Sequence, residues 1–288
     1  MKNSKTLFQD VVAGIHLDEP PEEIRGIVYL LFQSLFGLSK TDITAGKIVS
    51  FSEDAAQTLQ KMMYRLNKGE PVQYVLGEEY FYGRRFHVNP SVLIPRPETE
   101  ELVRVVVDFK HNLLLQNKRR PLKMLDIGTG SGCIPITLFH EAGPAEIYAT
   151  DISTAALAVA VGNADDLGAK ITFVEHDILN EKIPISGFDV IVSNPPYVTE
   201  TEKREMRSNV RDFEPRDALF VTDDDPLIFY RKITAQAKDI LKPGGLLAVE
   251  INEKFGKDVS QLFLRNGFKE VQIVEDVSAK QRVVKGYK

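Results

Sequence analysis

The chain is short of cysteine, of long apolar runs and of positive charge. Its single cysteine, Cys133, rules out an intrachain disulfide. No apolar run approaches the roughly 18 residues that a membrane helix needs. Residues 1–10 mix lysines with polar residues around no apolar core, which is not the pattern of a signal peptide. The compartment expected is the cytosol, with no membrane partner. Net charge is −5 and the sequence pI is about 5.7. That balance argues against a nucleic-acid backbone as the main partner, since such proteins carry a basic face. Internal repeats and low-complexity tracts are also missing.

The 288 residues suffice for one large or two modest domains, with 43% hydrophobic and 27% charged residues. The first part reads as helical. Ile24, Ile27, Val28, Leu31 and Leu35 recur at helical spacing after Pro20-Pro21-Glu22-Glu23, a helix start with acids in its first turn. A second helix follows Ser52 as cap and stops near Gly69, with Leu59, Met62, Met63 and Leu66 on one face. The two methionines read as core filling. Tyr80, Phe81 and Tyr82, then Gly83-Arg84, then Phe86 and Val88 suggest a β-hairpin. The expected division is a helical domain over 1–77, a hairpin linker over 78–95, and a second domain over 96–288.

From residue 122 the pattern alternates. Strand-like runs fall at 122–127, 146–151, 171–176, 188–193 and 246–251, with helical runs such as 154–167 and 227–241 between them. This predicts a mostly parallel sheet with helices on both faces. Two close runs, 271–274 and 282–284, would add an antiparallel pair at its edge. Lys242-Pro243-Gly244-Gly245 reads as a structural turn before the 246–251 strand.

Gly128-Thr129-Gly130-Ser131-Gly132 follows the first of these strands and precedes a helix over 133–141. Glycines let backbone approach a ligand closely. The spacing lacks the Gly-x-Gly-x-x-Gly that seats a pyrophosphate and the lysine of a P-loop. A ligand without phosphates fits better, and S-adenosylmethionine is one. Asp151 closes the second strand 23 residues after Gly128, where an acid can accept from ribose hydroxyls. Asp177, after the third strand, could accept the adenine amino group, with Ile178 against the adenine face. Such glycines can also be mere turns and such acids mere helix caps; their joint placement on three strand ends favours a ligand. Cys133 has no acid–base partner in sequence and reads as packing. Asp223-Asp224-Asp225 has no second cluster to complete a metal site and reads as a solvated loop.

Asn194-Pro195-Pro196-Tyr197 ends the fourth strand. The Asn194 oxygen and the Pro195 carbonyl can accept both N–H bonds of a planar NH2 group. They would stabilise the positive charge that develops as its nitrogen is methylated. The prolines fix the carbonyl directions, and Tyr197 can pack on the flat face of the target.

At these residues the chain resembles the class I S-adenosylmethionine-dependent methyltransferases, and more narrowly the HemK/PrmC family of peptide-chain release factor glutamine methyltransferases. The resemblance runs from Pro71-Val72-Gln73-Tyr74-Val75-Leu76-Gly77 through residues 93–100, 126–132, Asp151 and 192–197 to Phe213-Glu214-Pro215-Arg216-Asp217-Ala218-Leu219. The Asn-Pro-Pro-Tyr motif is shared with DNA adenine and other N-methyltransferases; the 94–100 and 213–219 runs narrow it. The resemblance implies an α/β, Rossmann-like, mostly parallel seven-stranded sheet with a small N-terminal helical domain. It implies that Gly128, Thr129, Gly130, Ser131, Gly132, Asp151 and Asn194 bind S-adenosylmethionine, the product being S-adenosylhomocysteine. Asn194, Pro195, Pro196 and Tyr197 would hold the glutamine of a Gly-Gly-Gln motif, for methylation at N5. The helical domain would dock the class I release factor. Where relatives often carry an aromatic residue beside the third-strand acid, this chain has Ile178. Three alternatives stay open at this stage. They are amino methylation of adenine or cytosine, which needs a flipped or single-stranded base, a non-catalytic cofactor-binding module, and an enzyme acting on a ribosomal-protein glutamine.

Overall fold

A computed structural model describes residues 1–115 and 120–288. Its main sheet has seven strands: β1 (Leu122–Ile127), β2 (Ala145–Asp151), β3 (Ile171–Glu175), β4 (Phe188–Ser193), β5 (Leu241–Glu250), β6 (Lys269–Glu275) and β7 (Gln281–Tyr287). The spatial order is β6-β7-β5-β4-β1-β2-β3. β7 runs antiparallel to both of its neighbours; every other pairing is parallel. All residues of β4 are buried, as expected of a central strand covered on both faces. Alternation sorts the side chains. Met124, Val190, Val192, Leu246 and Ala248 join one apolar cluster, Leu125, Ile127, Ile191, Leu247 and Val249 the other. The first is covered by helices Glu100–Leu115 and Cys133–Glu141, the second by Ile228–Ile240 and Gly256–Arg265.

Successive strands are added to one side of β1 up to β3 and to its other side from β4, so the strand order reverses between β1 and β4. In an open α/β sheet that switch point, at the carboxyl ends, is where ligands bind. Ile127 pairs with Thr150 on one side and Ser193 on the other. The residues that follow, Gly128, Asp151 and Asn194, therefore leave the sheet at one level. At the opposite end Asp189 is buried and accepts from Arg120 (2.5 and 2.7 Å), Lys242 Nζ (3.0 Å) and Lys123 N (2.8 Å). The Lys242–Gly245 stretch lies within β5 rather than before it. Leu241 pairs with Phe188 and Leu246 with Val190, so the extra residues bulge out, aided by Gly244 at φ +75°.

Two compact units emerge: Met1–Glu78 with Arg207–Phe213, and Glu79–Met206 with Glu214–Lys288. The first is helical. Pro21–Phe36 starts on proline with Glu22 and Glu23 in its first turn and stops at left-handed Gly37; Glu53–Asn67 is capped by Ser52. Leu7, Val28, Leu31, Phe32, Leu59 and Leu66 form its core. Residues 207–213 join it through Phe213, which faces Gly69, and Arg207, which reaches Glu19 at 3.2 Å. The hairpin (strands Glu78–Phe81 and Arg84–His87) is more than a connection. Phe81 and Phe86 meet edge to face at 6.2 Å inside the second unit's core. Two buried aromatics bind that segment to the unit they fill. Among the described residues no helix is long and apolar enough to cross a membrane.

Candidate active site

The glycine loop is stitched to β2. Gly128 N and Thr129 N both donate to Thr150 O, at 2.8 and 2.9 Å. Gly130 N donates to Asp151 Oδ2 at 2.8 Å, and Ser153 N to Asp151 Oδ1 at 2.9 Å. Burial pushes the Asp151 carboxyl up; the N–H groups of Ser153, Gly130 and Ile152 oppose that rise. Gly128 and Gly130 have positive φ, and a Cβ on either would project into open space. Gly132 differs: a Cβ there would stand 3.2 Å from Ala160 Cβ and 3.0 Å from Ile136 Cδ1, so it permits close packing of two helices. Beneath the loop both oxygens of Asp126 and Thr129 Oγ1 are buried without a hydrogen-bond partner. Burial pushes the Asp126 carboxyl up to about 7.

These features fit a sulfonium nucleoside. Backbone open over Gly128 and Gly130 admits it, Asp151 has lone pairs left for ribose hydroxyls, and the orphaned Asp126 suits a cationic amine. Asp177 also lies past the sheet's carboxyl end, but its oxygens already accept from Leu179 N (2.9 Å) and Asn180 Nδ2 (2.7 Å). The Asn180 bond holds its pKa low. Ile178 is buried in the apolar cluster beside Leu125 and Ile127. Ile152, next to Asp151, is 60% exposed and offers a free apolar face. Among the described residues no group of three metal-ligating side chains occurs.

At the end of β4, Asn194 Nδ2 donates to Thr99 Oγ1 at 3.2 Å. Pro195 is buried, Pro196 and Tyr197 partly so. The Tyr197 phenol donates to Glu250 Oε1 at 3.1 Å. Burial raises the Tyr197 pKa well above that of a free phenol, and the nearby Glu250 charge adds to this. Thr99 belongs to the 94–100 run, which Glu214 pins in place. Glu214 Oε1 accepts from Arg96 Nη2 at 2.5 Å and Oε2 from Ile94 N at 3.3 Å. The two runs that narrow the resemblance are thus one construction around Asn194.

Residues 14–77 match the PrmC N-terminal domain family and 104–210 the methyltransferase small domain family. The release factor glutamine methyltransferase of Bacteroides thetaiotaomicron is 44% identical over 266 residues, 92% of this chain and 93% of that protein. The chain belongs to the release factor glutamine methyltransferase family. Another member, from Flavobacterium psychrophilum, is 40% identical over 99% of this chain and 98% of its own. Among solved structures, the catalytic domain of hMettl16 in complex with MAT2A 3'UTR hairpin 6 matches at TM-score 0.57. It is 14% identical, over 90% of this chain and 89% of its own. A methyltransferase from Pyrococcus furiosus matches at 0.52 with 18% identity, over 80% and 98%. These two likenesses show the fold: class I, Rossmann-like.

Several groups at this site carry little or no signal of their own in the sequence. Thr99, Glu214 and Glu250 were motif letters or strand ends with no assigned task. Asp126 opens the 126–132 run, and nothing local gives it a role. Ile152 carries a weak signal, an isoleucine exposed directly after a strand-end acid. The other contacts join residues 95 and 118 apart in the chain, which no local pattern displays.

Proposed function

We propose that this chain transfers a methyl group from S-adenosylmethionine to the side-chain amide nitrogen, N5, of the glutamine in the Gly-Gly-Gln motif of class I peptide chain release factors, in the cytoplasm. The relatives' name supports the substrate, and one observation carries the chemistry. Asn194, oriented by Thr99, leaves the sheet level with Gly128 and Asp151.

When bound, the cofactor supplies an electrophilic methyl. Gly128, Thr129, Gly130, Ser131 and Asp151 would hold it, with Asp126 for its amine and Ile152, rather than Ile178, for the adenine face. An amide nitrogen is a poor nucleophile because its lone pair is delocalised. Asn194 Oδ1 and the Pro195 carbonyl accept its two N–H bonds, turn the lone pair toward the methyl and stabilise charge as it develops. The amide nitrogen would keep its proton until the methyl has been received, so no strong base is needed among these residues. Pro196 and Tyr197 complete the wall on the substrate side.

The helical unit docks the release factor. The match of residues 14–77 to the PrmC N-terminal domain family supports that role. The test is methyl incorporation into a class I release factor with its Gly-Gly-Gln glutamine intact or replaced by glutamate. Labelling of the first only is expected. Equal labelling of both would refute the target.

A further inference from the structure

The helix Thr154–Asp166 turns an alanine-rich face, Ala156, Ala160 and Ala164, into the fold, with one polar residue among them. Asn163 is 1% exposed, and an asparagine buried within a helix needs partners for its amide. Its Oδ1 accepts from His87 N at 2.7 Å, and its Nδ2 donates to His87 O at 3.0 Å and to Ser131 O at 2.9 Å. Reversing the amide would set Oδ1 against two carbonyls and Nδ2 against an N–H, so its orientation is fixed. One side chain thus joins the end of the hairpin to the second half of the glycine loop.

That half of the loop has few other sources of shape. Gly128, Gly130 and Gly132 all have positive φ, and glycine-rich backbone imposes little conformation of its own. Strand β2 holds the first half, through Thr150 O and Asp151 Oδ2. The Ser131–Gly132 peptide is held at both ends: Gly132 N donates to Thr129 O at 2.9 Å, and Ser131 O accepts from Asn163. Ala160 lies one turn before Asn163 on the same face, and the missing Cβ of Gly132 lets that face approach. We propose that Asn163 is a positioning residue for cofactor binding: its amide fixes the Ser131–Gly132 peptide and with it the shape of the loop that receives S-adenosylmethionine. This rests on the role assigned above to the glycine loop. Asn163 acts through Ser131 and need not touch the cofactor. A second tether of the hairpin bypasses the loop. His87 Nε2 reaches Asp166 Oδ2 at 3.0 Å, one turn further along the helix, with both side chains exposed.

The test uses the full chain with S-adenosylmethionine and a class I release factor. Asn163→Leu, close in volume, removes all three bonds. Asn163→Asp keeps the acceptor for His87 N and loses both donors. In each, S-adenosylhomocysteine affinity should fall about 10- to 100-fold by calorimetry, the effect of a buried carbonyl left without its donor. The KM for S-adenosylmethionine should rise in step, while kcat at saturating cofactor holds within about threefold. A merely structural loss would do the reverse, lowering kcat with the active fraction at unchanged KM. Asp166→Ala, which cuts only the exposed tether, should leave both constants within about twofold. Should Asn163→Leu fail to fold, Asn163→Asp decides. Unchanged cofactor affinity and KM in the folded variants would overturn the inference, and so would an Asp166→Ala variant that matches their losses. Gly130→Ala with undiminished S-adenosylhomocysteine affinity would instead bring down the loop assignment.

Discussion

Replacing Glu214 separates positioning from stability. Its side chain is fully buried, while that of Arg96 is 30% exposed. Burial outweighs the attraction of Arg96, and the Glu214 pKa ends above its usual value. The ion pair is thus a fixture of position whose desolvation cost exceeds its Coulombic gain. In Glu214→Ala, Ile94 N–H and Arg96 lose their acceptor and a small cavity opens. Arg96 can turn to water, so the expected loss is about 2–4 kcal/mol. In Glu214→Gln one oxygen still serves one donor, and the charge no longer has to be buried. The loss should be about 1 kcal/mol at pH 7. A carboxyl with a raised folded pKa contributes fully below its unfolded value of 4.5 and loses that contribution as pH rises through the folded value. The stability gap between wild type and Glu214→Gln should therefore narrow from pH 4.5 to 7.5. Urea unfolding across that range measures it. A gap that widens with pH would show the pair to be net stabilising and refute the reasoning. Because Glu214 fixes the run that carries Thr99, Glu214→Ala should also lower kcat.

Two further substitutions probe parts of the fold with separable tasks. Asp189 has its pKa drawn down to about 2 by Arg120, the Lys123 N–H and Lys242 despite its burial. Asp189→Asn should cost about 1–2 kcal/mol at pH 7, discounted for the partly exposed Arg120 and Lys242. That difference is present above pH 3.8 and fades as pH falls toward 2, with methyl transfer unaffected; thermal melts against pH and a turnover assay check both. Gly130→Ala should weaken S-adenosylhomocysteine binding at least about tenfold, because its Cβ enters the open lane at positive φ. Gly132→Ala should instead lower Tm, because its Cβ meets Ala160. Calorimetry and melting on both would contradict the division of labour if the two effects were reversed.

The sheet was largely legible in the sequence because its strands are apolar runs punctuated by glycine, proline and acids. The 122–127 and 188–193 runs match β1 and β4, and the 133–141 helix matches as well. The start of β5 was not legible. Lys242-Pro243-Gly244-Gly245 has turn composition, and only pairing with β4 shows it to be a bulge within a strand. The hairpin looked like a linker because its position between two patterns is a local property, whereas the burial of Phe81 and Phe86 is a tertiary one. In the site, residues that end strands were readable one by one. Their hydrogen-bond partners were not, since Thr99 meets Asn194 and Glu214 meets Arg96 across long chain separations. Ile178 and Ile152 are two isoleucines beside strand-end acids, one buried and the other 60% exposed, a difference that local sequence does not carry.

The most direct test of the amide grip is peptide mapping by mass of a class I release factor after incubation with S-adenosylmethionine and either wild-type protein or Asn194→Ala. Single- and double-stranded DNA run as parallel substrates. One added methyl on the Gly-Gly-Gln glutamine is expected with wild type. With Asn194→Ala the rate should fall about 100- to 1000-fold while S-adenosylhomocysteine binding persists. Methylation of DNA alone, or an Asn194→Ala variant as fast as wild type, would contradict the account.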